Sequence, residues 1–211
     1  ILVLSILSVL YFGLFCLPNQ AASENLHMVG VFEPDEAIPL SYAFDMIKPA
    51  DTVKQALINF ADYNYYFYGY PHFAYSALVL LLVDLFADPS NLSMVMLWLR
   101  QFVSLLPMLG AVWVLTYLQT RLKSWRAVPV FLFLLLIPGV VKNNFWWHPD
   151  SLAILFAVLV IFFLERDALR FGRHFYLAAA MCGFSAGIKG IGFYFFLTVF
   201  VYLLLGLFTR R

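Results

Sequence analysis

Long apolar runs separated by short polar segments make up most of this chain. A helix that crosses the hydrocarbon core of a bilayer needs about 20 mostly apolar residues. By that measure the pattern predicts membrane-spanning helices over 1–17, about 96–118, 127–141, 150–164, 174–188 and 191–208. The first run also fits the apolar core of a signal peptide, and that alternative stays open.

Basic residues between these runs predict their direction. The basic residues form three clusters: Arg121, Lys123 and Arg126; Arg166, Arg170 and Arg173; and Arg210 and Arg211. Two apolar runs separate each cluster from the next, so all three lie on one side, which the positive-inside rule makes cytoplasmic. Positions 18–95, the loop at 142–150 and the turn at Lys189 then lie on the non-cytoplasmic side.

Two stretches depart from a simple series of crossings. The apolar run 72–87 is short and follows a Tyr-rich segment, which favours an interfacial helix, since a further crossing would turn the basic clusters outward. The stretch 174–208 is too long for one helix and short for two. Glycines gather around Lys189 within it, so we expect a break there that lines a cavity or is buried in protein.

Composition narrows the class of protein. The chain has 211 residues, of which 64% are hydrophobic and only 12% charged. Soluble domains average about 45–50% hydrophobic and about 25% charged residues. A water-soluble enzyme, a disordered chain and a nucleic-acid-binding protein are excluded together, and the net charge of +1 provides no basic field. Cys16 and Cys182 lie in apolar runs and are expected to pack there. Because the chain begins and ends beside apolar runs, we expect it to be part of a longer polypeptide.

An acidic pair follows the first apolar run. Asp35 and Glu36 come directly after Pro34, a residue favoured in the first turn of a helix. The positive end of the helix dipole also favours carboxylates there, so the pattern predicts an amphipathic helix that runs to about Met46. A carboxylate pair beside a membrane surface also suits a general base, and both interpretations stay open.

A second polar group lies in the loop from Lys142 to Asp150. Trp146 and Trp147 are typical of an interfacial aromatic belt, and Asp150 is suited to cap the next helix. His148 together with Asp150 and Lys142 also offers a base, an anion and a cation within nine residues. His148 and Asp150 are two of the ligands that a divalent metal uses, so a metal stays open without being required.

Three further kinds of side chain complete the candidate site. Lys189 either extends to the interface or binds a phosphate. Arg100, near the outer end of its apolar run, is a second phosphate contact or the partner of a nearby acid. Tyr68 and Tyr70 belong to a tract between Phe60 and Phe73 that either anchors the interface or packs on an isoprenoid chain or a sugar ring.

The order of these motifs resembles that of the GT-C superfamily of membrane glycosyltransferases. The nearest branch contains the protein O-mannosyltransferases and the lipid A aminoarabinose transferases. The motifs are Phe32 to Glu36 after the first run, Tyr68-Gly69-Tyr70-Pro71, Arg100, Pro149-Asp150, and the glycine-rich run from Gly183 to Gly190. The resemblance implies an all-α integral membrane protein, a multi-span helical bundle whose first outer loop carries interfacial helices. Residues 1–211 are then its N-terminal part, without later spans or a soluble domain.

The resemblance also implies an activity. Asp35 is the expected catalytic base with Glu36 beside it, and Asp150 lies near the active site. Lys189 and Arg100 meet the phosphate of a polyprenyl-phosphate sugar donor. The sugar moves to a hydroxyl of a lipid, glycan or protein acceptor on the non-cytoplasmic face of a bacterial inner membrane or of the endoplasmic reticulum.

Two other classes stay open. A transporter or flippase of a lipid-linked or small polar substrate also has broken helices and intramembrane charges. Transporters place their polar residues near the midplane and often contain repeats, whereas here the polar residues gather at one face and no repeat is evident. The pattern therefore favours the enzyme. The third class is a non-catalytic subunit of a membrane complex.

Overall fold

Helices account for all regular secondary structure in residues 1–209, which the computed structural model describes. In chain order they are α1 Leu2–Leu14, α2 Cys16–Gln20, α3 Leu26–Phe32, α4 Pro34–Met46, α5 Val53–Ala61, α6 Tyr70–Phe86, α7 Leu92–Trp98, a π-helical segment Leu99–Leu105, α8 Leu106–Thr120, α9 Ala127–Leu135, α10 Pro138–Asn143, α11 Asp150–Asp167, α12 Arg173–Ile188, a 3₁₀ turn Gly190–Phe193 and α13 Tyr194–Thr209. The all-α prediction is confirmed. Arg210 and Arg211 lie outside the described residues.

Three continuous helical stretches are long and apolar enough to cross a membrane. They are Leu2–Gln20, Leu92–Thr120 and Gly190–Thr209, with 19, 29 and 20 residues. Each matches one of the spans that the hydrophobic pattern predicts, namely the first, the second and the last. The structure thereby supports membrane-spanning character by the length and composition of these helices.

The other predicted spans are shorter or interrupted. The run 127–141 is divided into α9 and α10, so the prediction of one helix there is wrong. Pro138 lacks an N–H and disfavours a helical residue before it, and Ile137 has a ψ of 126°. The runs 150–164 and 174–188 correspond to α11 and α12, with 18 and 16 residues.

The predicted break at Lys189 is confirmed. Helix α12 ends at Ile188, and Lys189 itself is extended before the 3₁₀ turn begins. The turn doubles back closely on α12, because a Cβ on Gly192 would lie 2.2 Å from the backbone of Ser185. Only glycine fits at position 192 without a backbone shift.

The start of α6 is joined to this break. The Gly69 N–H donates to the Ile188 carbonyl at 2.9 Å. A Cβ on Gly69 would lie 1.5 Å from the Gly187 carbonyl oxygen, so a side chain at position 69 would force the two segments apart. The contact brings the tyrosine-rich tract to the residue before Lys189.

Helix α6 then packs against the second long apolar helix. Its Tyr75 hydroxyl donates to the Phe102 carbonyl at 3.1 Å, and the Phe86 ring stacks on Trp98 at 6.5 Å. Helix α6 therefore contacts both α7 and the π-helical segment that follows it.

The largest group of buried side chains lies where α4, α6 and α7 meet the loop before α11. Phe73, Leu80, Met96 and Trp147 are completely or almost completely enclosed there. Each such aromatic or aliphatic side chain stabilises the fold by roughly 1.5–3 kcal/mol. This core holds the polar loop 142–150 against α4, which positions the candidate site. Cys182 packs in a separate core, as expected, and both cysteines are free.

Candidate functional site

One polar cavity gathers side chains from four separate segments. It has a volume of about 450 Å³ and is lined by Asp35, Tyr65, Phe67, Tyr68, His148 and Lys189. Asp35 comes from α4, and the two tyrosines and Phe67 come from the tract before α6. His148 comes from the loop before α11, and Lys189 from the break between α12 and α13. We call this the polar cavity, and the part of the molecule around it the site end.

Asp35 is the open carboxylate of the polar cavity. It is exposed in the first turn of α4, directly after Pro34 at the helix start, as the sequence predicts. No described residue makes an ion pair with it. Burial of Tyr68 and the nearby charge of Asp35 raise the pKa of the Tyr68 phenol, so Tyr68 stays a neutral hydrogen-bonding group at the edge of the cavity.

Glu36, the next residue, has the opposite environment. It is fully buried, and its carboxylate accepts from Arg100 Nε at 2.9 Å and from Arg100 Nη2 at 2.5 Å. The Trp147 backbone N–H donates to the same carboxylate. Arg100 Nη1 donates to the carbonyls of Asn19 at 2.9 Å and Ala21 at 3.2 Å.

These contacts decide between the two interpretations of Arg100 in favour of the acidic partner. Its guanidinium is enclosed, and its hydrogen bonds join α2, α4 and the second long apolar helix. Neither Glu36 nor Arg100 lines the polar cavity. They lie beneath it as a buried ion pair, in which a bidentate guanidinium holds the carboxylate in one orientation.

Asp150 contacts both Lys189 and His148. Its Oδ1 lies 2.5 Å from Lys189 Nζ, and its Oδ2 lies 3.1 Å from His148 Nδ1. The predicted capping role is wrong, because Pro149 is the N-cap and Asp150 is the first residue of α11 with no side-chain cap bond. The carboxylate instead orients the lysine and the imidazole that line the cavity.

Aromatic rings surround His148. Its ring stacks on Trp146 at 4.2 Å with an angle of 4° between the planes, and Tyr68 approaches edge-on at 5.0 Å. Trp147 faces the other way and is fully buried, with its indole N–H donating to the Ser76 hydroxyl at 2.9 Å. The interfacial-belt interpretation is therefore wrong for Trp147, which belongs to the core.

The described residues also enclose a second, apolar cavity. It has a volume of about 620 Å³ and is lined by side chains of α6, α11 and α12 with neighbours from α5 and α8: Phe60, Tyr70, Pro71, Ala74, Tyr75, Leu78, Leu106, Pro107, Leu152, Leu155, Phe156 and Phe184. Tyr70 thus lies in this cavity, apart from the polar one. Because Tyr68 lines the polar cavity two residues earlier, the Tyr68-to-Pro71 turn contributes to the walls of both cavities.

Two nearby residues escape sequence reasoning. Phe67 lines the polar cavity while 84% exposed, but the sequence gives no sign that distinguishes it from the five tyrosines of its tract. His72 is fully buried and stacks on Trp147 at 5.4 Å, and neither ring nitrogen has a hydrogen-bond partner among the described residues. Burial lowers the pKa of His72 to about 3, so its ring packs as a neutral group.

Comparison with known protein families, curated proteins and solved structures finds no match to this chain. The GT-C resemblance therefore rests on the sequence motifs alone. In the described residues, no three His, Cys, Asp or Glu side chains are grouped to hold a metal ion.

Proposed function

We propose that this chain carries the catalytic base and the donor-phosphate contact of a GT-C-like membrane glycosyltransferase. The donor is a polyprenyl-phosphate sugar, and the acceptor is a hydroxyl of a lipid, glycan or protein. The observation that carries the proposal is that Asp35, an open carboxylate, lines the same cavity as Lys189. This transfer needs a base at the acceptor hydroxyl and a cation at the leaving phosphate oxygen, and the cavity offers both.

The chemical step follows from these two charges. Asp35 removes the proton from the acceptor hydroxyl as its oxygen attacks the anomeric carbon from the side opposite the phosphate. The bond between that carbon and the phosphate oxygen breaks, and the polyprenyl phosphate leaves with the bonding electrons. Lys189 then stabilises the leaving phosphate, and the configuration at the anomeric carbon is inverted.

His148 and Asp150 have orienting roles in this proposal. Asp150 holds the Lys189 ammonium at 2.5 Å, which fixes its direction before donor binds. A preorganised charge stabilises a transition state without having to reorient during the reaction. His148 and Tyr68 provide polar groups at the cavity wall for the hydroxyls of the sugar.

The apolar cavity suits the lipid part of the donor. Its lining includes only two polar atoms in side chains, the hydroxyls of Tyr70 and Tyr75, which donate to backbone carbonyls. An isoprenoid chain gains about 25 cal/mol for each Å² of apolar surface that it buries. Since the Tyr68-to-Pro71 turn contributes to both cavities, a donor whose phosphate lies near Lys189 places its apolar tail in the apolar cavity in this proposal.

The buried ion pair enters the proposal as a positioning pair. Glu36 is the neighbour of Asp35, and it also accepts from the Trp147 backbone, next to His148. One carboxylate thereby fixes both the base and the opposite wall of the cavity. Because Arg100 occupies the Glu36 carboxylate, Asp35 is the base of this mechanism, and Arg100 acts through Glu36 rather than on the phosphate.

The proposed orientation in the membrane follows from the same geometry. In this proposal α6 lies along the interface as part of the first outer loop, and the polar cavity opens on the non-cytoplasmic face. Helix α6 has 17 residues and is shorter than the three helical stretches that are long enough to cross a membrane, which supports that arrangement. The separation of the site end from the six described residues of the basic clusters supports it as well. The protein then belongs in a bacterial inner membrane or in the endoplasmic reticulum.

The break at Lys189 is a feature that transporters share, so the test has to separate transfer from transport. Purified full-length protein in vesicles is given radiolabelled polyprenyl-phosphate sugars together with membrane extract. The glycosyltransferase forms a labelled acceptor and free polyprenyl phosphate, and Asp35→Asn loses both. Movement of intact labelled donor across the vesicle, with no product, would instead identify a flippase.

Asp51→Asn is the matched control for this test. Asp51 is an exposed carboxylate that does not line the polar cavity, so its removal changes the charge by the same amount. The proposal expects normal product formation from this variant. Equal losses of product formation in Asp51→Asn and Asp35→Asn would mean that the loss comes from the change in net charge. Asp35 would then not be the base.

A further inference from the structure

Six exposed cationic side chains lie together at the end of the helices remote from the polar cavity. They come from the end of α8, the start of α9, the end of α11 and the start of α12: Arg121, Lys123, Arg126, Arg166, Arg170 and Arg173. Arg121 makes an ion pair with Glu165, and Arg166 Nη2 donates to the Tyr117 hydroxyl at 3.3 Å. These contacts join the two loops into one surface, which we call the basic end.

The carboxylates at the basic end are already engaged. Glu165 pairs with Arg121. Asp167 is buried and accepts from the backbone N–H groups of Phe171 and Gly172 and from the Tyr202 hydroxyl, each at 2.8 Å. Among the described residues of this surface, Glu165 is therefore the one exposed carboxylate beside six exposed cations.

Two of the arginines lie beside one tyrosine ring. The guanidinium carbons of Arg121 and Arg166 lie 5.4 Å and 5.8 Å from the centre of the Tyr117 ring. Both arginines are thus held beside one ring, where a cation is attracted by the ring face. Glu165 neutralises one of them, so the pair keeps a positive charge. A guanidinium matches the oxygens of a phosphate in a bidentate geometry.

The surroundings of the basic end indicate a lipid rather than a dissolved anion. Tyr117 lies in the last turn of Leu92–Thr120, which is long and apolar enough to cross a membrane. Trp125, between Lys123 and Arg126 in sequence, is 79% exposed. An exposed indole is favoured at the level of lipid headgroups, where its apolar body and its polar N–H both have partners.

We propose that the basic end binds the phosphate groups of anionic phospholipids, with Arg166 as the central contact. Arg170 and Arg173 extend the site along the α11–α12 loop, and Trp125 marks the depth of the headgroups. Basic surfaces beside membrane helices bind such headgroups through charge. This inference is independent of the glycosyl transfer, because α11, 18 residues long and therefore about 27 Å, separates Arg166 from the polar cavity.

The test measures lipid binding by the full chain in mild detergent. Phosphatidylglycerol and phosphatidylcholine with the same acyl chains are added separately, and the bound lipid is counted by native mass spectrometry. We expect preferential binding of phosphatidylglycerol that weakens with salt, because charge attraction is screened. Arg166→Gln, Arg170→Gln and Arg173→Gln should each lower the affinity about fivefold, the change that corresponds to about 1 kcal/mol per basic residue.

Two controls keep the outcome decisive. Lys54→Gln removes an exposed cation of α5, which is not part of the basic end, and should leave lipid binding unchanged. Arg170→Gln serves as the test if Arg166→Gln does not fold, because no side-chain contact of Arg170 supports the fold in the described residues. Equal binding of the two lipids, or equal losses in Lys54→Gln and Arg166→Gln, would overturn the proposal. Displacement by inorganic phosphate at similar concentrations would assign the site to free phosphate instead.

Discussion

Two polar regions lie next to each other at the site end, and they differ in how their charges are satisfied. Around Glu36, every charge is buried and paired: the carboxylate binds Arg100 and the Trp147 backbone. Around Asp35, the charges face a cavity of about 450 Å³. Since Asp35 and Glu36 are neighbours on one helix, the difference comes from the direction of each side chain, about 100° apart around the helix axis.

The comparison separates residues that hold the site from residues that are available to a substrate. A buried ion pair contributes little net stability, but removal of one partner leaves an unpaired buried charge and is strongly destabilising. An open carboxylate can be neutralised with little effect on folding. Neutralising Asp35 should therefore lower turnover with little effect on stability. Breaking the ion pair of Glu36 should mainly lower stability.

The largest expected effect is on turnover in Asp35→Asn. The amide keeps the shape of the side chain but cannot accept the acceptor proton, so turnover should fall about 10²–10⁴-fold. Thermal unfolding should stay close to that of the unaltered protein, because Asp35 is exposed. Turnover and donor binding are measured separately on full-length protein. Normal turnover with normal donor affinity would remove Asp35 from the chemistry.

The ion pair should show the reverse pattern. Arg100→Met leaves Glu36 buried without its partner, which should lower the free energy of unfolding by about 3–5 kcal/mol. The double variant Arg100→Met with Glu36→Gln removes both charges and should recover part of that loss. Chemical denaturation in detergent measures the free energy of unfolding of the unaltered protein, the single variant and the double variant. A loss below about 1 kcal/mol in Arg100→Met would mean that the pair does not hold the site.

The residues around Asp35, which we call the open region, can be predicted from the sequence. The pairing around Glu36, which we call the closed region, cannot. The helix start at Pro34, the break at Lys189 and the side-chain chemistry of Asp35, His148 and Asp150 are all local signals. The partner of Arg100 is not local, because Glu36 lies 64 positions away and many other acids are available along the chain. Pairing at that distance depends on how α4 packs against the second long apolar helix.

The aromatic residues show the same limit. Trp146 and Trp147 look alike in sequence, yet one stacks on His148 and the other is buried. They lie in a loop, where no helical period predicts which ring faces inward. The capping interpretation of Asp150 fails for a related reason, since only the tertiary fold brings Lys189 within 2.5 Å of its carboxylate.

Within the open region, Lys189→Met tests the cation. The methionine has a similar length without the charge, and loss of a charged hydrogen bond to phosphate is worth about 1.5–3 kcal/mol. Donor affinity should therefore fall about ten- to hundredfold, and acceptor affinity should change little. Lys54→Met is the matched control, since Lys54 is exposed and lies outside the polar cavity. Unchanged donor affinity in Lys189→Met would limit this lysine to its ion pair with Asp150.

Within the closed region, His72 gives the fold a dependence on pH. Its folded pKa of about 3 lies below the unfolded value of about 6.5, so the unfolded chain binds more protons between these values. Stability contributed by the neutral ring is present above about pH 6.5 and is lost as the pH falls, by about 2 kcal/mol at pH 5. His72→Phe should reduce this loss, and His27→Phe, at an exposed histidine, should not. Thermal unfolding at pH 7 and pH 5 measures both, and equal pH dependence in His72→Phe would contradict the assignment.

The smallest expected effect concerns Phe67 at the edge of the open region. Tyr66 and Phe67 are adjacent rings with 80% and 84% of their surface exposed, but only Phe67 lines the polar cavity. If Phe67 packs on a substrate ring beside Asp35, Phe67→Ala should raise KM about two- to tenfold, in line with the roughly 0.5–1.5 kcal/mol of an aromatic contact. Phe67→Trp should retain the affinity, because the larger ring keeps the contact. Tyr66→Ala removes an equally exposed ring away from the cavity and should leave KM unchanged. Equal increases in KM for the two alanine variants would assign both rings to membrane anchoring and remove Phe67 from the site.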